Sequence, residues 1–217
     1  DHPGHSRIGE SVLEKPVVVP VGDFVNFKDL KRTLKLLGLR ASEDTQNGIY
    51  YVLPKEGGVR QKTVRLRTEL GRTFLTIKDR RDTKVLPNKE ASNEQIDERL
   101  KIDDRAEEDV EVLNVDGASI LLQEVGYRQS SVREKYRTTY KLGKTKVEIN
   151  EGPIGKPWVE IEAEDNGGEQ ELQTALESLG HTWDNVKNIS DSEYYQRYVG
   201  ATARDLENMV FDDSDTK

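Results

Sequence analysis

The chain has 217 residues, of which 34% are hydrophobic and 34% are charged, and its formal net charge is −8. So acidic a chain lacks the excess of Lys and Arg on which general binding to nucleic acids or anionic membranes depends. It contains no cysteine, which excludes disulfides, thiolate catalysis and zinc–thiolate sites. Its three histidines are scattered, and no apolar run is as long as a membrane span. We therefore expect a cytoplasmic protein of one main domain, with neither nucleic acid nor a membrane as a partner.

The first quarter of the chain is predicted to begin with a flexible segment, residues 1–14, which is polar and lacks periodicity. Residues 15–21 (KPVVVPV) form a predicted strand near a sheet edge, because prolines lie near its ends. Apolar residues then recur at helical spacing over residues 27–37, and Gly38 ends this helix. Another strand begins at Gly48.

The middle of the chain is predicted to contain a hairpin, residues 62–78, which turns at Glu69-Leu70-Gly71. A helix over residues 92–100 starts with a capping box. Residues 105–113 are acidic and alternating, and a helix runs from Asp116 to Gly126.

The second half is predicted to form strands over residues 128–140, 144–150 and 157–163, followed by helices over 172–179, 190–198 and 202–210. Aromatic residues in this half have an expected packing role. These are Trp158 and Trp183 in the core, and Tyr194, Tyr195 and Tyr198 on a short helix that covers a tunnel mouth.

Several of the predicted strands carry a charged side chain at every second residue. Because successive side chains of a strand point to opposite faces, each strand has a charged face and a mostly apolar one. A half-buried sheet with a solvated outer face has this alternation too, so periodicity alone leaves two interpretations open. The residues concerned are Arg65, Arg67, Lys78, Arg133, Lys135, Arg137, Glu160 and Glu162.

A weak internal repeat favours the more specific interpretation. LLGLR leads to VRLRT in the first half, and EVGYR leads to VREKYRT in the second. Two such halves, each a helix followed by antiparallel strands, provide enough strands to close a barrel. Charges enclosed in a barrel must be paired or bound to a ligand.

The motifs resemble those of a known family. They are VRLR at 64–67, FLTIK at 74–78, RAEEDVE at 105–111, EVGYR at 124–128, KYRTTY at 135–140, KVEIN at 146–150 and WVEIEAE at 158–164. In this order the chain resembles the CYTH family, the triphosphate-tunnel group that includes class IV adenylyl cyclases, thiamine triphosphatases and inorganic triphosphatases. The class IV cyclase-like proteins are the most similar subgroup. The resemblance places the domain at residues 15–200, followed by a short helix and acidic tail at 201–217.

The resemblance implies an α+β fold, an eight-stranded antiparallel β tunnel (barrel) with flanking helices. It also implies a small-molecule triphosphate ligand, ATP or tripolyphosphate, with Mg²⁺ or Mn²⁺ as cofactor. The implied phosphate ligands are Arg65, Arg67, Lys78, Arg105, Arg133, Lys135 and Arg137. The implied metal ligands are Glu160 and Glu162, supported by Glu148 and by Glu107 or Asp109.

The chain departs from the family pattern in its first strand. The family carries an ExExK motif there, whereas residues 15–21 of this chain contain only valines and prolines after Lys15. Residues 48–51 (GIYY) also lack an acidic residue that often precedes the aromatic pair. Three functions therefore stay open: a metal-dependent triphosphatase or adenylyl cyclase, which we favour, a non-catalytic triphosphate-binding module, and a structural interaction domain. Homodimer formation stays open as well.

Overall fold

The computed structural model describes residues 12–14, 17–20, 27–37, 39, 41–53, 63–85, 101–163, 168–183, 186 and 191–212. Its strands are β1 (Val12–Glu14), β2 (Val17–Pro20), β3 (Ala41–Val52), β4 (Thr63–Glu69), β5 (Arg72–Val85), β6 (Lys101–Val112), β7 (Arg128–Leu142), β8 (Thr145–Glu151), β9 (Trp158–Ala163) and β10 (Asn208–Met209). Its helices are α1 (Phe27–Leu36), α2 (Val115–Glu124), α3 (Glu169–Ser178), α4 (Asp191–Tyr194) and α5 (Ala203–Glu207), with a π-helical turn at Tyr195–Val199.

All ten strands belong to one sheet, in the order β1-β6-β5-β4-β3-β7-β8-β9-β2, with β10 added in parallel to β7. Every other pair is antiparallel. The two end strands, β1 and β2, are neighbours in the sequence. Glu14 and Val17 are three residues apart, so their Cα atoms are separated by at most about 11 Å. Because β1 pairs with β6 and β2 with β9, the sheet must curl until its two ends meet. Taken together, β1 and β2 act as one strand that joins the two ends of the sheet. The predicted eight-stranded antiparallel tunnel with flanking helices is confirmed.

The larger apolar core lies on the outer face of this curled sheet. Val147, Ile149 and Ile161 alternate along β8 and β9 and are fully buried. They pack with Leu34 of α1 and Leu172 of α3 in one cluster. These helices cover the apolar face, which leaves the charged face on the inside. The interpretation as a sheet with a solvated charged face is therefore wrong.

A smaller core forms under α2. Leu122 packs there with Tyr51, Val64 and Leu66, and the Tyr51 hydroxyl donates to Ser119 Oγ at 2.7 Å. The helix starts at Val115, one residue before the predicted start, because the Asn114 side chain caps it by accepting a hydrogen bond from a backbone N–H of the first turn.

The segment Asp191–Val199, α4 plus the π-helical turn, packs on the end of the tunnel next to β9. We call it the cap segment. Trp158 contacts the rings of Tyr194 and Tyr195 at centroid distances of 5.2 and 5.3 Å. The expected core position of Trp158 and the expected packing role of Tyr194 and Tyr195 are confirmed, since all three are at most 3% exposed. Tyr198 stacks on Tyr194 but is 48% exposed.

Several element boundaries differ from the predictions. The segment that we expected to be flexible ends in β1, which pairs with β6. Strand β3 starts at Ala41 rather than Gly48, because its polar first half pairs with β7. The last predicted helix stops at Glu207, since Asn208 and Met209 pair with β7 instead. The acidic stretch 105–113 lies almost wholly in β6.

The predicted helix over residues 92–100 lies outside the described residues. Within the described part, none of the helices is both long and apolar enough for a transmembrane span.

Candidate functional site

Basic side chains from two strands, β4 and β7, line one side of a cavity of about 380 Å³, a volume that includes its open end. Strand β3 lies between β4 and β7, and its Gly48 is opposite Arg67 on one side and Arg133 on the other. Because Gly48 has no side chain, no side chain of β3 lies between the two flanking arginines at this position. The basic residues of the cavity wall are Arg65, Arg67, Arg133 and Lys135.

Two of these cations, Arg133 and Lys135, are oriented by contacts with aromatic rings. The Arg133 guanidinium lies over the Tyr50 ring, 5.0 Å from its centroid, and Arg133 Nη1 donates to Ser192 Oγ at 2.9 Å. Lys135 Nζ lies 5.6 Å from the Trp158 ring centroid. Both cations are thus positioned by aromatic rings and by the cap segment. An aromatic ring carries no net negative charge, so the ring contact leaves Arg133 available to an anionic ligand, whereas Lys135 also lies 3.6 Å from the Asp191 carboxylate.

The phenol of Tyr50 reports the positive potential of this wall. Burial would raise the pKa of Tyr50, but Arg65, Lys135 and Arg133 outweigh burial and Asp191, and the net effect lowers it. A site that lowers the pKa of a buried phenol favours negative charge in general. The wall is therefore suited to a polyanion.

An acidic cluster lies on the inner face of β8 and β9. Glu148, Glu160 and Glu162 each offer a carboxylate oxygen, and these three oxygens lie within 4.8 Å of one another. Glu148 and Glu160 are 5% and 6% exposed, so two of the three are buried. The register aligns them, because Glu148 pairs with Glu160 across the strands.

Arg137 of β7 is the cation that pairs with this cluster. Its Nη1 lies 2.5 Å from Glu148, its Nη2 donates to Glu160 at 3.1 Å, and its Nε donates to the Asn150 side-chain oxygen at 2.8 Å. Burial would lower the pKa of Arg137, but the three glutamates outweigh it and raise the pKa. Arg137, predicted as a phosphate ligand, is therefore placed among carboxylates rather than in the basic wall.

One guanidinium does not neutralise three carboxylates. Burial, together with Glu162 and Glu160, raises the pKa of Glu148 to about 8 despite Arg137, so the cluster without a metal retains a proton at neutral pH. Divalent cations take carboxylate oxygens at about 2.0–2.6 Å, so oxygens up to about twice that distance apart can share one ion. The three carboxylates fit Mg²⁺ or Mn²⁺ in number, spacing and charge.

Asp191, the first residue of the cap segment, is a component that the sequence reasoning missed. Its carboxylate lies 3.6 Å from Lys135 Nζ. Burial would raise the pKa of Asp191, but Lys135, Arg137 and Arg133 outweigh it and hold the pKa well below its usual range. In sequence, Asp191 resembles an ordinary acidic residue in the first turn of a helix, so no local signal identified it.

Asp109, the remaining predicted metal ligand whose side chain is described, does not belong to the acidic cluster. Asp109 accepts from Arg67 at 3.0 Å and from the Thr76 hydroxyl, so it belongs to the β4–β6 side of the tunnel. Glu69 is also 3.3 Å from Arg67. For Lys78, Arg105 and Glu107 the strand positions alone are described, and their side chains lie outside the described part.

A model of the CYTH domain matches residues 23–206 of the chain. The chain belongs to the CYTH family. No curated protein matches the sequence. The structure of a Pyrococcus horikoshii protein is similar, with 23% identity, a TM-score of 0.57 and coverage of 80% of this chain and 94% of that one. A Pyrococcus furiosus protein has 21% identity, a TM-score of 0.60 and coverage of 83% and 98%.

The Hippeastrum protein HpAC1, whose dominant activity is that of a triphosphatase, also has a similar structure. The two chains are 12% identical, the TM-score is 0.56, and coverage is 87% of this chain and 96% of HpAC1. At such identities these likenesses show the shared CYTH fold.

The register locates the departure of this CYTH domain from the family pattern. On β2, Val18 pairs with Glu160 and Pro20 with Trp158. Position 18 is thus next to the acidic cluster, and the residue there has no carboxylate. Among the side chains that the structure describes, the carboxylate cluster that could hold a metal lies on β8 and β9.

Proposed function

We propose that the protein binds the triphosphate of tripolyphosphate or ATP together with Mg²⁺ or Mn²⁺ inside the tunnel and cleaves it by attack at phosphorus. The observation that carries this proposal is the pairing of a basic wall with a three-carboxylate cluster on the inner face of one curled sheet. A polyphosphate needs cations for its oxygens, and a hard metal ion needs carboxylates. The triphosphatase activity of HpAC1, a protein of similar structure, supports the reaction class.

In this proposal the basic residues bind the triphosphate and the acidic residues bind the metal ion. Arg65, Arg67, Arg133 and Lys135 would hold the phosphoryl oxygens, with the guanidinium groups making paired contacts. Glu148, Glu160 and Glu162 would hold the metal ion, which supplies charge neutralisation of the triphosphate and orients the attacking oxygen. Water attack gives hydrolysis, and attack by a ribose hydroxyl gives cyclisation of ATP.

A second function, binding without turnover, is favoured by one observation. Val18 pairs with Glu160, at the position where an acidic residue of the first strand would add to the metal cluster. Fewer carboxylates lower the affinity for a divalent cation. A tunnel that retains its basic wall would then still bind a triphosphate while turning it over slowly.

The test combines turnover and binding. The protein is incubated with tripolyphosphate or ATP in Mg²⁺ or Mn²⁺ while phosphate and cyclic AMP are measured, and thermal unfolding is followed with the same ligands. Product formation supports the enzyme. A raised unfolding temperature without product supports the binding module, because a ligand of the native state stabilises it. If neither product nor stabilisation is observed, both proposed functions are contradicted.

A matched pair of arginine variants tests the position of the ligand. Arg133→Ala removes a cation of the cavity wall, whereas Arg72→Ala removes one from an exposed ion pair with Glu111. We expect the first variant to lose stabilisation by tripolyphosphate and the second to keep it. Equal behaviour would show that the basic wall does not bind the ligand.

A further inference from the structure

The hydroxyl of Tyr195 is buried and has no hydrogen-bond partner in the described structure. The residue as a whole is 2% exposed. Buried hydroxyl groups are normally hydrogen-bonded, because leaving one unpaired forfeits its interaction with water and replaces it with nothing. The neighbouring Tyr194 follows the normal pattern, since its hydroxyl donates to the Lys156 carbonyl at 2.6 Å. The described fold therefore provides a hydrogen-bond acceptor for the hydroxyl of Tyr194 but not for that of Tyr195.

The residue that carries the unpaired hydroxyl lines the charged cavity. Tyr195 lines that cavity together with Arg133 and Lys135. The Nε of Arg133 is likewise buried without a hydrogen-bond partner in this part of the structure. Two donors from different elements are thus left unused beside one cavity, where an anionic ligand would accept from both.

The backbone around Tyr195 holds the hydroxyl in place. A Cβ atom at Gly152 would lie 1.8 Å from Tyr195 Oη, so the loop after β8 can approach the phenol only because residue 152 is glycine. The ring itself contacts Trp158 edge-on at 5.3 Å and Tyr194 at 5.4 Å. The phenol is therefore held on three sides, by the loop and by two aromatic rings.

The protonation state suits a donor. Burial, followed by the charge of Asp191, raises the pKa of Tyr195 far above its ordinary value. The hydroxyl therefore keeps its proton throughout the neutral range and can donate it to an anionic oxygen.

We propose that Tyr195 Oη donates a hydrogen bond to a phosphoryl oxygen of the triphosphate bound in the cavity, so that the cap segment is part of the ligand site. This inference rests on the proposed function. A hydrogen bond to a charged acceptor contributes enough that its loss should raise the dissociation constant by about 10- to 100-fold.

The test compares two adjacent tyrosines. Tyr195→Phe removes the hydroxyl and keeps the ring contacts, and Tyr194→Phe is the matched control. Binding of tripolyphosphate with Mg²⁺ is measured by calorimetry below the unfolding transition of every variant, and thermal unfolding is measured without ligand. We expect Tyr195→Phe to unfold no earlier than the wild type and to bind about 10- to 100-fold more weakly. Tyr194→Phe should unfold earlier and bind as the wild type does.

The outcomes separate the two proposals. If the wild type binds tripolyphosphate and Tyr195→Phe binds it equally well, the role of Tyr195 is refuted while the proposed function stands. Early unfolding of Tyr195→Phe with unchanged affinity also refutes it, because the hydroxyl is then structural. If the wild type itself does not bind, the proposed function fails and this inference fails with it.

Discussion

Replacing Arg137 by Met removes the cation of the acidic cluster while retaining an apolar stem of similar length. In the wild type this guanidinium contacts Glu148 at 2.5 Å and Glu160 at 3.1 Å, and the Arg137 side chain is 12% exposed. Breaking a buried ion pair by removing one partner costs about 3–5 kcal/mol, since the remaining charges stay buried and unpaired. In a chain of this size each kcal/mol lowers the unfolding temperature by about 2–4 °C, so we expect a decrease of about 6–20 °C.

Two conditions should reduce this loss for electrostatic reasons. At pH 5 the carboxylates take up protons more readily than at pH 8, so the variant should be closer to the wild type in acid. Millimolar Mn²⁺ should stabilise the variant more than the wild type, because the ion supplies the positive charge that the guanidinium provided. The assay is thermal unfolding at pH 5 and pH 8, each with and without Mn²⁺.

Arg72→Met is the control for this prediction. Its ion pair with Glu111 is exposed, with side-chain exposures of 59% and 40%, so solvent screening leaves it little effect on stability. If Arg137→Met unfolds at the same temperature as Arg72→Met, or if its loss is independent of pH and Mn²⁺, Arg137 does not neutralise a buried carboxylate cluster.

Three further predictions concern the carboxylates. Because the pKa of Glu148 is raised to about 8, the native state binds a proton that the unfolded state has released, so stability falls as pH rises from about 4.5 to 8. Over this range the free energy of unfolding of Glu148→Gln should rise relative to the wild type by up to about 1.4 kcal/mol per pH unit, as measured by urea unfolding. Parallel pH profiles of the two proteins would contradict this. Asp191→Asn should bind tripolyphosphate more tightly in calorimetry, because the wild-type Asp191 carboxylate pairs with Lys135 and competes with the ligand for it. Weaker binding would show that Asp191 helps to hold the ligand. Val18→Glu adds a carboxylate opposite Glu160, so thermal unfolding should show lower stability without metal and a larger gain with Mn²⁺ than in the wild type; an equal gain would contradict this placement.

Local patterns predicted the hairpins well. The β4–β5 turn lies at Leu70 and Gly71, and Leu70 has a φ of 48°, a conformation that a tight turn requires. Alternation is a property of the strand itself, so it predicted β7, β8 and β9 within a few residues. The first half of β3 (ASEDTQ) has no apolar alternation, and it is a strand because Ala41 to Gln46 pair with Tyr140 to Lys135 of β7. Such pairing between distant segments is not visible in either segment alone.

The residues of the candidate site could be predicted where they lie in a recognisable sequence motif, and not where tertiary contacts place them. Glu160 and Glu162 share one face of β9 because they are two residues apart, and this spacing was sufficient to propose them. The position of Arg137 could not be predicted in this way, because its side chain turns to Glu148 and Glu160 instead of the cavity. Asp191 and Tyr195 were assigned to packing or left aside, since only the position of the cap segment brings them to the cavity.

The order of residues by itself determined which side chains share a face of each strand, because that depends on the two-residue period of a single segment. It also determined the lack of carboxylates at positions 16–21 and the absence of thiol chemistry. The tertiary structure decided which face is enclosed, because the short β1 and β2 pair with opposite ends of the sheet and the helices cover its apolar side. It also decided which charges meet, since contacts between strands and the cap segment depend on register and curvature rather than on spacing along the chain.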